Sequence, residues 1–286
     1  FSSRRRHTRS PLGSRGLGDV YKRQIQTKAY VPFFFLAMVE ILGDFANGND
    51  GVVLKGADSL DKVKGQKVNL VELSESHYLL ARGLDSVGLA EKDIKVVNTS
   101  DADMVAVYGT DSVTAVTTWN PLLSEIVAMP NSYKVFDSSQ IPGEIIDLLV
   151  VNTETLKQYP RFGKALVGAW YEIMERMEAE GAAGVEARTQ MARASGTDLA
   201  GYESQLESTK MFYRPAAAVA FGNSAELVKT MEYVAGFSFE HGLLGDAAAD
   251  AGYIGVAMPA GTFGDSNNVK LRFDNTYMQM AADGKL

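Results

Sequence analysis

The sequence predicts an α/β protein built from two lobes, and three observations support this prediction. The chain has 286 residues, of which 46% are hydrophobic and 22% are charged, so it can bury a large core. This length suits two lobes of roughly 100–150 residues each. Short apolar runs alternate with helical patterns over residues 52–151, whereas the later residues are mainly helical.

Residues 52–151 have the pattern of a mostly parallel sheet. Apolar runs of strand length are separated by single helical segments, as in sheets that are covered by helices on both faces. The predicted strands are residues 52–54, 68–73, 94–97, 113–118, 134–136 and 145–151. The predicted helical segments between them are residues 59–64, 75–84, 101–108 and 121–128.

Beyond residue 151 the apolar residues recur near the i, i+3, i+4 spacing of amphipathic helices. The helices predicted from this spacing are residues 156–177, 184–194, 199–206 and 225–237, and Tyr159-Pro160 divides the first of them. The simplest architecture inserts one α/β lobe into another, with residues 52–54 and 145–151 as connecting strands. No apolar run reaches the ~20 residues of a transmembrane helix.

Composition excludes several classes of site. The chain contains no cysteine, which rules out disulfides, thiolate metal sites and cysteine nucleophiles. The histidines are His7, His77 and His241, and no metal-ligand spacing, phosphate-binding glycine loop or nucleophile elbow is present. We therefore expect no catalytic residue, no metal and no cofactor.

Residues 1–24 differ in composition from the rest of the chain. They hold seven of the 28 basic residues and one of the 35 acidic residues, which leaves a net charge of −13 for the remainder. That acidic body argues against a nucleic-acid partner. A basic arm, or a signal peptide with residues 29–39 as its apolar stretch, would fit the segment. The acidic residues Glu40 and Asp44 follow that stretch directly, which argues against a signal peptide. We therefore favour a non-native leader joined to a reading frame that is truncated at its N-terminus.

Several segments together resemble the nitrate/sulfonate/taurine class of ABC-importer solute-binding proteins. These segments are residues 43–51, 60–67, 74–80, 117–121, 141–147 and 271–277. Within that class the likeness is greatest to the periplasmic component associated with urea carboxylase operons, and it covers residues 43–286. The resemblance implies the two-lobed, type II periplasmic-binding-protein fold, with an incomplete first lobe and a helix-rich C-terminal part.

The resemblance also implies an organisation and a cellular role. Residues 25–66 and 149–286 would form the first lobe, and residues 67–148 the second. The lobes would close on a ligand like a hinge. The implied protein is a periplasmic monomer whose partners are a small solute and the membrane permease of an ABC importer. Pyrimidine-synthase enzymes share the fold but rely on a cysteine-rich motif, which this chain lacks, so we expect a protein that is not an enzyme. A sensor domain is the third functional class considered.

Ligands of open α/β lobes lie at the carboxyl ends of strands, beside helix N-termini. Asn49 and Asp50 precede the predicted strand at residue 52, and Trp119 and Asn120 end another. Asn and Asp are also common turn residues, and a tryptophan is commonly core. The family position favours ligand contacts for Asn49 and Asp50, and the strand-to-helix junction favours a Trp119 that stacks on a flat ligand.

Two further segments supply candidates. Ser74, Glu75, Ser76 and His77 lie where a strand meets a helix, and one serine there can cap the helix while the other faces the ligand. Glu75 would repel an anion and accept hydrogen bonds from urea or guanidinium N–H groups, or it would only complement the helix dipole.

Glu144 and Asp147 lie at the predicted crossing into the first lobe, on opposite faces of a regular strand. At most one of them should therefore reach the ligand if the strand is regular, and either could instead be one partner of a salt bridge. Residues 211–213 would line the cleft or belong to the core. The function predicted from these residues and the resemblance is capture of a small nitrogen-containing solute such as urea or guanidine. The alternative is an aliphatic sulfonate, taurine or nitrate as the ligand.

Overall fold

The computed structural model describes residues 37–286, so the predicted leader at residues 1–24 lies outside the described part. Two separate sheets form the frame of the described residues. Their strands are β1 (Ala37–Ala46), β2 (Asp50–Lys55), β3 (Lys67–Leu70), β4 (Lys95–Asn98), β5 (Ala115–Trp119), β6 (Ser132–Asp137), β7 (Ile146–Asn152), β8 (Thr209–Met211), β9 (Gly255–Met258), β10 (Gly261–Phe263) and β11 (Val269–Phe273).

The first sheet has the order β10-β9-β11-β1-β7, and β8 pairs with the end of β1. β1 runs parallel to β11 and antiparallel to β7 and β8. Its residues Val39, Ile41 and Leu42 are fully buried in the larger core, as expected for a central strand.

The second sheet has the order β4-β3-β5-β2-β6. β3 is parallel to β4 and β5, whereas β2 is antiparallel to both of its neighbours. Successive side chains of β2 point to opposite faces, so Val52 and Leu54 enter one core and Val53 enters another. Helices therefore cover this sheet on both faces, as the sequence predicted.

Most of the helices lie on the predicted segments, whereas those at residues 215–222 and 276–282 were not predicted. The helices are α1 (Glu75–Ser86), α2 (Asp101–Tyr108), α3 (Leu122–Val127), α4 (Thr153–Gln158), α5 (Pro160–Glu178), α6 (Gly181–Ala194), α7 (Leu199–Glu207), α8 (Pro215–Gly222), α9 (Ala225–Glu240) and α10 (Thr276–Ala282). Pro160 begins α5, which confirms the predicted division at Tyr159-Pro160. Among residues 37–286, no helix is both long enough and apolar enough to span a bilayer.

The sheets correct the predicted position of one strand. The sequence places residues 25–66 in the first lobe, but β2 at Asp50–Lys55 pairs with β5 and β6 of the second sheet. The physical reason is burial: Val52, Val53 and Leu54 are fully enclosed between those strands and the helices above and below them. β7 lies in the first sheet, so the chain crosses between sheets at residues 47–49 and again within residues 138–145.

Helix α9 contacts both halves of the molecule. Leu227 and Met231 belong to the core of the first sheet. Tyr233 and Phe237, on another side of the same helix, pack against the core of the second sheet. The two halves are thus connected by this helix as well as by the two crossings.

Candidate functional site

The two crossings lie side by side and are hydrogen-bonded to each other. The backbone N–H of Ala46 donates to the carbonyl of Ile145 at 2.9 Å. Gly48 has a φ of 115°, a conformation that glycine adopts without steric cost, and its N–H donates to Ser138 Oγ at 2.8 Å. The turn between β1 and β2 is therefore fixed by the second lobe, and the residues beside it are held in place.

Four acidic side chains, which we call the carboxyl cluster, approach one another at these crossings. Asp44 of β1 lies opposite Asp147 of β7 in the antiparallel register, and their carboxyl groups are hydrogen-bonded. Asp50, at the start of β2, is only 3% exposed and is subject to the charges of Glu75 and Asp147. Asp147 is exposed and Glu75 is half-buried, so the cluster opens to solvent.

Burial and mutual repulsion favour the protonated forms of the buried acids. Burial first, and then the charges of Glu75 and Asp147, raise the pKa of Asp50 to about 8. Burial is also the largest cause of the raised pKa of Asp44, followed by its interactions with Asp147 and the charge of Asp50. Among the described residues, no lysine or arginine contributes to either shift. A cationic ligand would stabilise the charged carboxylates and lower both pKa values.

The predicted residues of β5 and the β1–β2 turn meet beside this cluster. Asp50 pairs with Trp119 across the antiparallel strands, and the N–H of Asn120 donates to the carbonyl of Asn49 at 2.8 Å. The Asn49 amide nitrogen, oriented toward its acceptors, lies 3.1 Å from Asp50 Oδ2 and 3.2 Å from the carbonyl of Ser208. Ser208 also accepts from the Asn120 amide at 3.3 Å. These contacts join the second lobe to the start of β8.

The N-terminus of α1 contributes two serines with different roles. Ser74 is the N-cap: its hydroxyl accepts from the N–H of Ser76 at 3.2 Å and donates to the carbonyl of Val71 at 2.6 Å. The Ser76 hydroxyl is fully buried and has no hydrogen-bond partner among the described residues. Glu75 lies between them and acts electrostatically on Asp50. One serine therefore caps the helix while the other keeps its hydrogen-bonding capacity.

Two predicted ligand residues make contacts of another kind. Glu144 accepts two hydrogen bonds from Arg82, at 2.7 and 3.0 Å, and one from the Tyr78 hydroxyl at 2.7 Å. It is thus the salt-bridged partner that the sequence left open as an alternative. His77 is buried against Glu91 and His241. The structure does not place either side chain in the carboxyl cluster.

Sequence reasoning missed Asp44 and Tyr202 and left Tyr213 open. Asp44 belongs to the carboxyl cluster, and its charge helps to raise the pKa of Tyr202 and of Tyr213, after the larger effect of burial. A charged residue within the apolar run of residues 41–45 was the available signal for Asp44. Tyr213 belongs to the triplet at residues 211–213, for which cleft and core were both possible. The sequence contains no signal for Tyr202.

Comparison with known proteins identifies relatives in fold. The model of the NMT1-like family matches residues 55–193. A putative periplasmic sulfonate-binding protein from Methylobacillus flagellatus superposes with a TM-score of 0.63 at 14% identity, over 87% of this chain and 70% of its own. The periplasmic aliphatic sulphonate-binding protein SsuA from Escherichia coli gives a TM-score of 0.59 at 18% identity, over 74% of this chain and 72% of its own. No match was found among curated proteins.

These similarities confirm the predicted fold class. Both structural relatives are periplasmic binding proteins, and the chain shares their two-lobed α/β architecture with a separate sheet in each lobe. Identities of 14 and 18% establish the fold alone, so the ligand has to be argued from the side chains at the crossings.

Proposed function

We propose that this protein captures a small nitrogen-rich solute, guanidine in preference to urea, between its two lobes. The observation that supports this most is the carboxyl cluster at the crossings, where Asp44, Asp50, Glu75 and Asp147 come together. A guanidinium ion presents several N–H donors in one plane and a full positive charge, so it matches carboxylate acceptors in both geometry and sign. Urea has the same planar shape without the charge.

The same cluster argues against the alternative ligands. Sulfonate and nitrate are anions, and a site for them requires donors or positive charge. The charges that act on Asp50 are those of Glu75 and Asp147, which would repel an anion. Two neighbouring residues would extend such a site: Trp119, paired with Asp50 across the strands, would supply a ring face, and Ser76, next to Glu75, a buried hydroxyl as acceptor.

The fold and the family match support a wider role, which is also a proposal. We propose that the two lobes, with residues 47–49 and 143–145 as the hinge between them, close on the solute in the periplasm. The closed form would then deliver it to the membrane permease of an ABC importer. Receptors of this kind return their ligand unchanged, so no catalytic residue is assigned. The periplasmic binding proteins that share the fold support this role, as does the match to the NMT1-like family.

Calorimetric titration tests the ligand assignment. Millimolar guanidine hydrochloride, urea, taurine and sodium nitrate are added separately to the full chain at pH 8. We expect heat with guanidine, weaker heat with urea and none with the two anions. Asp50→Asn should weaken guanidine binding by about 2–5 kcal/mol, the usual cost of removing one partner of a buried charge pair, which is a loss of at least roughly 30-fold.

Asp111→Asn is the matched control, because Asp111 is an exposed acid in a turn of the same lobe. It should bind guanidine as the unmodified chain does. Tight binding of taurine or nitrate without guanidine would overturn the ligand assignment and leave the receptor class standing. Conversion of bound guanidine or urea to a product would instead overturn the assignment as a receptor.

A further inference from the structure

Helix α9 reaches the second lobe through a row of side chains on one side. The row begins where the Thr230 hydroxyl donates to the carbonyl of Gly143 at 3.2 Å, at the second crossing. One turn later the ring of Tyr233 stacks under the Arg82 guanidinium at 4.1 Å. Phe237 follows and meets Tyr78 edge-on at 5.5 Å, and His241 ends the helix. The spacing of three or four residues places this row on one helix face.

The row ends in a cluster of two imidazoles and one carboxylate. His77 Nε2 lies 3.2 Å from Glu91 Oε2, and His241 Nε2 lies 3.0 Å from Glu91 Oε1. The two rings are 4.8 Å apart, edge to face. His77 is 2% exposed, whereas Glu91 is about one-third exposed. The cluster is therefore buried at His77 and open to solvent at Glu91.

The backbone determines where the proton of His77 lies. The N–H of Leu73 donates to His77 Nδ1 at 3.1 Å, so this nitrogen is an acceptor without a proton. In neutral imidazole the single proton is then on Nε2. That Nε2–H group donates to Glu91, and every polar atom of the His77 ring is satisfied with the ring uncharged.

His241 is held in the opposite way. Its Nδ1 lies 2.8 Å from the carbonyl of Phe237, which can only accept, so Nδ1 carries a proton. In neutral imidazole Nε2 would then be bare, yet it faces the Glu91 carboxylate at 3.0 Å. Two acceptors at this distance repel each other unless a further proton lies between them. The contact is therefore attractive only when one added proton is shared between His241 Nε2 and the Glu91 carboxylate.

The surroundings of His241 stabilise that positive charge. His241 is the C-cap of α9, where the partial negative charge of the helix end favours a cation. The Phe237 ring is stacked on it at 4.0 Å, a position that suits a cation over an aromatic face. Hydrogen bonds and charge from His77 and His241 lower the pKa of Glu91 against the effect of its burial.

Other charged groups near the cluster point elsewhere. Lys92 and Glu240 are exposed, and Asp93 accepts from the N–H of Ala90 and lies 3.8 Å from Lys64.

A metal ion fits the contacts of this cluster less well than a proton does. A metal bound by both Nε2 atoms would need a proton on His77 Nδ1, where the Leu73 N–H already donates.

We propose that His77, Glu91 and His241 form a proton-operated clasp that fastens the end of α9 to the second lobe when His241 is doubly protonated and releases it when that proton leaves. Histidine changes charge between about pH 5 and 8, so the clasp is closed at the acidic end of that range and open at the basic end. If the lobes move as a hinge during solute binding, which is the proposed function, the clasp makes that motion pH-dependent. Its own chemistry does not require a solute.

Amide hydrogen exchange on the full chain, without solute, tests the clasp. After correction for intrinsic rates, residues 238–243 should exchange on the order of tenfold more slowly at pH 6 than at pH 8.5, as expected for one charge-assisted hydrogen bond. Glu91→Gln is the informative variant, because a glutamine amide can donate to a neutral His241 Nε2 and still accept from His77. Its exchange should be slow at both pH values.

Nitrogen-15 spectra of the histidine rings give a second measurement that does not depend on any variant. We expect His77 to remain the Nε2–H tautomer throughout, and His241 to change from doubly protonated at pH 6 to the Nδ1–H tautomer at pH 8.5. A neutral His241 at pH 6, or a pH-dependent Glu91→Gln variant, would overturn the clasp. Closure at pH 8.5 by micromolar zinc chloride, reversed by EDTA, would also overturn it in favour of a metal site. Guanidine titration of the same samples reports the proposed function separately.

Discussion

Asp50 is a residue at which binding and stability make opposite demands. Its carboxyl group is almost fully buried, and burial together with the charges of Glu75 and Asp147 raises its pKa to about 8. In an unfolded chain an aspartate has a pKa near 3.9. The folded protein therefore holds a proton between about pH 4 and 8 that the unfolded chain does not hold. The stability associated with that proton is complete below about pH 4 and is lost as the pH rises through about 8.

Asp50→Asn should consequently stabilise the solute-free protein while it impairs binding. Asparagine is uncharged at every pH, so the gain should grow from pH 5 to pH 8.5. We expect about 0.5–2 kcal/mol at pH 8, typical of single stabilising substitutions, or roughly 2–4 °C in Tm per kcal/mol. Thermal unfolding followed by circular dichroism at both pH values measures this. Asp111→Asn should change neither value, and an Asp50→Asn variant destabilised at pH 8 would contradict the raised pKa.

Part of the site could be read from the sequence because it depends on strand ends. Asp50 and Trp119 are polar or aromatic residues at the ends of apolar runs, and the structure pairs them across two strands. His77 shows the limit of that reasoning. It follows Ser76 directly, but successive residues on a helix are rotated by about 100°, so the two side chains face different surroundings. The ion pair of Glu144 with Arg82 joins residues that are 62 positions apart, and no local pattern reveals it.

At the level of elements, local periodicity predicted the helices well and the strand pairing poorly. α1, α5 and α9 have amphipathic repeats that appear within a single window of sequence. β8 and β10 have only three residues each, too few for a periodic signal. The assignment of β2 to the second lobe depends on its partners β5 and β6, which lie far along the chain. Pairing between distant strands is decided by burial in the folded state.

The packing of α5 against α10 depends on a single glycine. Gly163 of α5 is buried, and a Cβ atom added there would overlap the ring of Tyr277 in α10. Gly168, five residues later in the same helix, has only ordinary contact with Leu286, at 3.8 Å from such a Cβ. The two glycines therefore differ in environment although they share a helix. Only Gly163 is required by the close approach of two helices.

Gly163→Ala should destabilise the protein by about 1–3 kcal/mol, the usual cost of overpacking a close contact. Gly168→Ala should stabilise it by about 0.5–1 kcal/mol, because alanine loses less backbone freedom in a helix than glycine does. Urea denaturation at fixed pH gives both values from the shift in midpoint at constant slope. Equal effects of the two substitutions would show that helix propensity, and not the contact with Tyr277, controls this position.

At the level of the whole molecule, several groups make the solute-free protein prefer acidic conditions. Asp50 and Asp44 of the carboxyl cluster have raised pKa values, and burial followed by the charge of Asp274 raises the pKa of Glu40 in β1 to about 7. Each such carboxyl group contributes stability that is lost as the pH rises through its folded-state pKa. The proposed clasp at His241 has the same sign. The solute-free protein should therefore be less stable at pH 8.5 than at pH 6.

A cationic solute should reverse this trend, because it binds the deprotonated carboxyl cluster and must displace protons from it at lower pH. Guanidine affinity should rise from pH 6 to about pH 8 and then level off near the pKa of Asp50.

A solute at 100 times its Kd adds about 2.7 kcal/mol to the free energy of unfolding, which corresponds to roughly 5–10 °C in Tm. At one fixed, low-millimolar guanidine concentration, the rise in Tm over the solute-free sample should thus be several degrees larger at pH 8 than at pH 6. Equimolar sodium chloride controls for ionic strength, and Asp50→Asn should reduce the pH dependence of the shift to the part that Asp44 contributes. A neutral solute such as urea should give a shift that changes little with pH, so a guanidine shift that is equal at both pH values would mean that the carboxyl cluster does not bind the cation.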